Sequence, residues 1–247
     1  MRETRIIMGM PVTLSVADAH AAQHDLDVVF DEFTAVDNQF SVYKQNSEIS
    51  RINRGEIAAE AYSSRMREVI ELCEKTRSET GGYFDIARPD GTLDPSGVVK
   101  GWAILGAARM LATRGFENYF VEAGGDIQAC GKSEEGVDWR VGIRNPFEPD
   151  QIVKILIPRE KGVATSGNYV RGNHIYNPHS GQYVSDDIVS LTVIGPDILE
   201  ADRYATAAFA MGREGIFFIE RSAGLEGYEI NATGIARMTT GLARYFP

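Results

Sequence analysis

The sequence predicts an α+β fold: one compact unit over residues 1–247, with helices packed against a mixed or largely antiparallel sheet. Three observations lead there. A chain of 247 residues with 43% hydrophobic content is long and apolar enough to bury a sizeable core. Helix-period and strand-period stretches come in blocks rather than in strict alternation. No Pro/Ser-rich linker, internal repeat or low-complexity tract divides the chain.

Taken in order, residues 5–16 (RIIMGMPVTLSV) read as a first strand interrupted by Gly9 and Pro11, a break that suggests a bulge or a ligand approaching the backbone. An amphipathic helix is expected from an N-cap at Asp18 to about Phe33, with Leu26, Val29, Phe30 and Phe33 at helical spacing. Residues 38–53 are polar and irregular apart from Phe40, Val42 and Tyr43. The helical pattern returns over 64–80, where Met66, Val69, Ile70 and Cys73 share one face and Gly81-Gly82 forms a stop. A third helix begins near Ser96 and turns Val98, Val99, Trp102, Leu105 and Met110 toward a core. From Asn118 the period becomes strand-like in YFVEA, IQACG, WRVGI, IVKILIP and IVSLTVIG. Residues 198–210 and 214–223 are again helical, and YEIN followed by ARMTT reads as a closing hairpin.

Composition excludes several classes of function. With 35 acidic against 25 basic residues, the formal charge of −10 argues against a general nucleic-acid binder, which needs clustered Lys and Arg for phosphates. A small anion held by local groups or through a metal is compatible with it. Two cysteines, Cys73 and Cys130, make neither a disulfide framework nor a cysteine-rich metal site. No apolar run reaches the ~20 residues of a membrane span, and the N-terminal residues lack a signal-peptide core, so a soluble cytoplasmic protein is expected. The 25 glycines are the compositional oddity.

Four glycine-bearing segments could touch a ligand: 81–85 (GGYFD), 93–102 (LDPSGVVKGW), 122–126 (EAGGD) and 164–169 (ATSGNY), the last followed by HIYNP at 174–178. The second carries the most chemistry. Asp94 precedes a Pro-Ser-Gly turn into a helix, so free N–H groups and the positive end of a helix dipole face one spot, with Lys100 about a turn further on. That arrangement suits a diphosphate, and it equally suits a capped helix with a solvated lysine. Neither a Walker A loop nor a Rossmann G-x-G-x-x-G is present. Asp202 and Thr206 lie four apart on one helical face, either as hard oxygen ligands for Mg²⁺ or as a dipole-favoured acid beside a hydroxyl bonded to its own helix. His174 and His179 flank an Asn-Pro turn, which suits proton transfer or ligand contact as well as a structural role.

Read together, eight segments resemble the FAD:protein FMN transferase family, the ApbE-type flavin transferases. They are M-G-x-P at 8–11, VDNQFSVYKQNSEISRIN at 36–53, GGYFD, D-x-x-G-x-x-KGWA, EAGGDI, ATSGNY, H-I-x-N-P-x-S-G and EADRYAT, and they span nearly the whole chain in order. The resemblance implies a T-fold-like unit and a Mg²⁺-dependent enzyme with FAD as substrate. Such an enzyme cleaves the FAD pyrophosphate, passes FMN to a threonine of a target flavoprotein and releases AMP. By position, Met8, Tyr43, Tyr83, Phe84, Asp85, Asp94 and Lys100 match FAD-contacting residues, and Ser166 and Gly167 lie in a stretch that approaches the dinucleotide. Gly97, through its carbonyl, Asp202 and Thr206 fall where the family holds magnesium, and His174 matches the histidine of the transfer step. Two alternatives remain: a Mg²⁺-dependent FAD pyrophosphatase, which the same site would serve, and a flavin-binding module without turnover, against which the presence of Asp94, Lys100, Asp202 and Thr206 counts. The chain departs from many members at Asn177, where they carry Asp, and at Met10, where they carry Thr. Both departures are expected on the flavin side.

Overall fold

Two residues with left-handed backbone, Met8 at φ 57° and Gly9 at φ 70°, divide the stretch expected as one strand. β1 (Arg2–Ile7) and β2 (Met10–Val16) pair antiparallel on either side of them, from Arg2 against Ser15 to Ile7 against Met10. The glycine makes a hairpin turn, a correction to the expected interrupted strand. The computed structural model describes residues 1–168, 175–183 and 188–247.

α1 (Gln23–Phe40) begins after Asp18 and continues past Phe33, because Val36 and Phe40 extend its buried stripe. Asp18 does not cap it. Its carboxylate accepts the backbone N–H groups of Glu117 and Asn118 and the Asn118 amide, joining two loops. Part of the polar stretch that follows is also helical: α2 (Glu48–Asn53) is capped by Ser47, whose hydroxyl oxygen accepts the Ser50 N–H. α3 (Ser64–Glu79) is capped in the same way by Ser63 and buries Met66, Val69 and Cys73 as the spacing predicts. α4 (Ser96–Thr113) is apolar and small-residued around most of its circumference, and it lies in the interior.

The remaining elements are β3 (Tyr119–Ala123), β4 (Asp126–Cys130), β5 (Val141–Arg144), β6 (Ile152–Leu156), β7 (Gly162–Gly167), β8 (Tyr176–Asn177), β9 (Gln182–Tyr183), β10 (Ile188–Gly195), α5 (Ile198–Ala210), α6 (Gly215–Arg221), β11 (Glu226–Asn231) and β12 (Ala236–Met238). Eight of the strands form one sheet in the order β1-β2-β3-β4-β7-β10-β11-β12, and every described pair is antiparallel. One face carries the helices over a core that includes Val12, Leu14, Phe30, Phe33, Ile104, Leu191 and Phe209. The other face carries the β5–β6 pair over Ile127, Val163, Ile194, Tyr228 and Ile230. This is the predicted α+β class.

β7, read from sequence as a ligand loop, is a central strand. Its residues are small because α5 crosses directly above it. A side-chain carbon on Gly162 would lie 2.1 Å from the Ile198 nitrogen, and one on Gly195 would lie 2.9 Å from the Ala201 nitrogen. α5 therefore rests on the sheet backbone against backbone, with its first turn held by Gln128, whose Oε1 accepts the Ile198 N–H at 2.9 Å. Among the described residues no helix is long and apolar enough to cross a membrane.

Candidate active site

The first turns of α4 meet α5 closely because Gly97 and Gly101 lack side chains. A carbon added to Gly97 would sit 2.9 Å from the Phe84 ring and 3.2 Å from Thr206 Cγ2; one on Gly101 would sit 2.8 Å from Asp202 Cβ. Gly97, Thr206, Asp202 and Phe84 are thereby gathered at one place. Asp202 is buried, and its Oδ2 accepts the Gly101 N–H at 2.8 Å. Its Oδ1 faces Lys100, with Nζ at 3.4 Å. Burial pushes the Asp202 carboxyl above the usual carboxylate range; the Lys100 ammonium pulls it back and the nearby Asp126 carboxylate pushes it further up.

Asp126 is a residue that sequence reasoning did not single out. The left-handed pair Gly124 and Gly125, at φ 60° and 95°, turns the chain between β3 and β4 and sets Asp126 at the first position of β4. It is completely buried. Oδ1 accepts the Thr165 N–H at 2.9 Å; Oδ2 has no hydrogen-bond partner among the described residues and is ion-paired with Lys100 Nζ at 2.5 Å. Two buried carboxylates thus share one ammonium. The EAGGD segment was visible in the sequence, but no spacing tied it to a lysine one helix earlier.

The loop after α3 forms the next wall. Thr80 donates its hydroxyl to the Thr76 carbonyl and accepts the Phe84 N–H at 3.3 Å, which places the buried Phe84 ring against Gly97. Tyr83 is half-buried beside it. Asp85 pairs with Arg77 at 2.9 Å, and its Oδ1 accepts the Ala87 N–H. Asp94 accepts the Ser96 N–H at 3.0 Å at the start of α4 and pairs with Arg88. Arg88 also lines a hollow of about 330 Å³ together with Tyr43, Asn53, Arg54 and Thr92. Tyr43 is 91% exposed, so its ring face is open at the rim of that hollow.

Met8 lies at the β1–β2 turn, where it packs on the edge of the helix-side core. Ser166 and Gly167 end β7, immediately after the Thr165 N–H that fixes Asp126. His174, the residue expected in proton transfer, lies outside the described residues. Its neighbour in sequence, the β8–β9 hairpin, docks on the loop after α3. Tyr176 donates its hydroxyl to the Ala87 carbonyl at 2.8 Å. The His179 Nε2–H donates to the Gly81 carbonyl at 3.0 Å, and its ring stacks edge-on to Tyr83 at 4.5 Å. Asn177 accepts the backbone N–H of His179 at 2.9 Å and of Ser180 at 3.4 Å. It shapes its own turn, a task a carboxylate performs equally, so its substitution for Asp leaves the turn intact. Met10 is buried at the start of β2.

Among the described residues no three His, Cys, Asp or Glu side chains gather to hold a metal. What the α4–α5 crossing offers is a mixed oxygen set: a carboxylate at Asp202, a hydroxyl at Thr206 and backbone carbonyls of the first α4 turn. A hard cation takes such donors. Two carboxylates ion-paired to one ammonium, with the buried Asp126 Oδ2 taking no hydrogen bond among the described residues, leave room in the charge balance for it.

The chain is similar to known proteins over most of its length. The family model described as "ApbE family" matches residues 8–89 and 86–228. A Vibrio cholerae protein named FAD:protein FMN transferase is 28% identical over 81% of this chain and 76% of its own length. An Escherichia coli protein of the same name is 33% identical over 62% of this chain, which spans only 46% of that relative. Among solved structures, the flavin transferase ApbE from Vibrio cholerae superposes with a TM-score of 0.86 at 24% identity, covering 100% of this chain and 99% of that one. The ApbE protein of Thermotoga maritima gives 0.87 at 19% identity, with 100% and 99% covered. Those two likenesses establish the fold.

Proposed function

The chain belongs to the ApbE family, and from that membership we propose that it transfers the FMN half of FAD to a threonine hydroxyl of a target flavoprotein, releasing AMP. The observation that carries the reading is the α4–α5 crossing, where Lys100, Asp126, Asp202, Thr206 and Gly97 meet beside the positive end of α4. A pyrophosphate needs positive potential, and the Lys100 ammonium and the N-terminal end of the α4 dipole supply it.

In the proposed reaction the threonine Oγ attacks the phosphorus of the FMN half. The bond from that phosphorus to the bridging oxygen breaks, and the bridging oxygen leaves on AMP. The hydroxyl proton passes to a general base, for which His174 is proposed, since an imidazole titrating near pH ~6.5 is matched to proton transfer near neutrality. Lys100, held against Asp126, adds a fixed positive charge beside the phosphates, an electrostatic contribution that needs no rearrangement during reaction. The loop around Tyr83, Phe84 and Asp85 and the open ring of Tyr43 are assigned to the rest of the dinucleotide. Gly97, Asp202 and Thr206 would hold Mg²⁺, whose charge would offset the build-up on the phosphate oxygens.

Incubation with FAD, Mg²⁺ and a candidate flavoprotein, followed by intact-mass and peptide mass spectrometry, tests this. Covalent FMN on a threonine with matching AMP release is expected. AMP and free FMN with every candidate left unmodified would replace transfer by hydrolysis, and no AMP at all would remove catalysis. His174→Ala is expected to stop transfer while FAD affinity holds; equal loss of both would take the general-base role away from it.

A further inference from the structure

We infer that Asp126 is a positioning residue for this reaction: it draws the Lys100 ammonium to one side of the site and so leaves Asp202 to the divalent cation. The inference rests on the proposed function for the identity of that cation and of the anion. Its basis is the way the two carboxylates are mounted. Asp126 is fixed through Oδ1 by the Thr165 N–H at 2.9 Å, and Asp202 through Oδ2 by the Gly101 N–H at 2.8 Å. Each turns its second oxygen to the same ammonium, at 2.5 Å for Asp126 and 3.4 Å for Asp202.

The two mounts stand on different elements, Asp126 on β4 of the sheet and Asp202 on α5, so neither carboxylate can follow the lysine. Coulomb attraction falls with distance, and Asp126 therefore has the larger hold. Its burial also keeps that charge from being screened by water and salt. With the charge at position 126 removed, Asp202 is the member of the pair that still attracts the ammonium. Lys100 then moves toward the oxygen that the cation needs and competes with it.

Asp126→Asn keeps the shape and an oxygen acceptor for the Thr165 N–H while deleting the charge. The measurement is the Mg²⁺ concentration that half-saturates FAD binding, read by quenching of flavin fluorescence, with a thermal melt of each variant. Asp126→Asn is expected to raise that concentration at least about tenfold, as loss of a group that orients a metal site does. In a Lys100→Met background the same substitution is expected to change it by no more than about twofold, because the residue through which it acts is gone. An equal rise in both backgrounds would mean that Asp126 acts on the cation by its own charge and would overturn the inference, as would no rise in the single variant. Should Asp126→Asn fail to fold, Lys100→Arg serves: its forked guanidinium reaches both carboxylates and is expected to raise the Mg²⁺ requirement. An unchanged requirement in folded Lys100→Arg protein overturns the inference. A wild-type protein that binds no FAD with Mg²⁺ overturns the proposed function and this inference together; wild-type binding with an unaffected Asp126→Asn overturns the inference alone.

Discussion

Glu48 shows how much a single side chain organises. Its carboxylate accepts the Ser63 N–H, the Ser63 hydroxyl and the Gln39 amide, each at 2.7 Å, and so joins α1, α2 and the start of α3. Burial pushes its carboxyl up, but the hydrogen bonds from Ser63 and Gln39 outweigh that and hold it below the usual range. A carboxyl depressed in the folded state stabilises the protein above its unfolded value of about 4.3, and the contribution is lost as pH falls through the folded value. Urea unfolding of wild type and Glu48→Gln across that range is expected to give a steeper acid loss for wild type. Parallel curves would remove Glu48 from the acid response. Spacing in the sequence put Asp202 beside Thr206 and set Asp94, Gly97 and Lys100 about one helix start, but each group suited a plain structural role equally, and the resemblance rather than the spacing singled them out. Asp126 was singled out by neither, because its role exists only once β4 is laid beside α4.

At the scale of elements, the α3–α5 contact turns on one buried cation. Arg203 is 2% exposed and bonds Glu200 through Nε at 3.0 Å and Nη2 at 2.5 Å; Nη1 reaches Glu79 at 2.5 Å. Glu79 is the last residue of α3, next to the Thr80 that fixes Phe84. The guanidinium therefore links the helix bearing Asp202 to the loop bearing Tyr83 and Phe84. Arg203→Met is expected to cost about 3 kcal/mol, the low end for breaking a buried pair, since both glutamates keep some access to water. Equilibrium denaturation would check it, and a change below about 0.5 kcal/mol would class the pair with ordinary surface ion pairs. The elements themselves were uneven in legibility. α3 was clear because its caps and its stripe agree, whereas β7 was hidden because GVATSG has few of the branched and aromatic residues that mark strands. Its composition answers to the helix above it rather than to strand preference.

For the whole molecule, the sheet order places β7 and β10 between other strands and under α5, while β12 is an exposed edge. Amide hydrogen exchange is expected to be slowest in β7 and β10 and fastest in β12, since local opening frees edge strands first. Comparable protection across all three would mean that α5 adds nothing to the centre. Gly162→Ala tests the same seat more severely. Its added carbon would meet the Ile198 backbone rather than a side chain able to swing away, and a loss of roughly 3 kcal/mol or more is expected where overpacking has no route to relax. The seat has one more consequence. Where main chain rests on main chain, the height of α5 above the sheet works as a mechanical stop, indifferent to which apolar side chains fill the space around it. Asp202 and Thr206 ride on that helix. Their placement can therefore stay constant while the rest of the core is rewritten, so the working tolerance of the site is decoupled from the history of its packing.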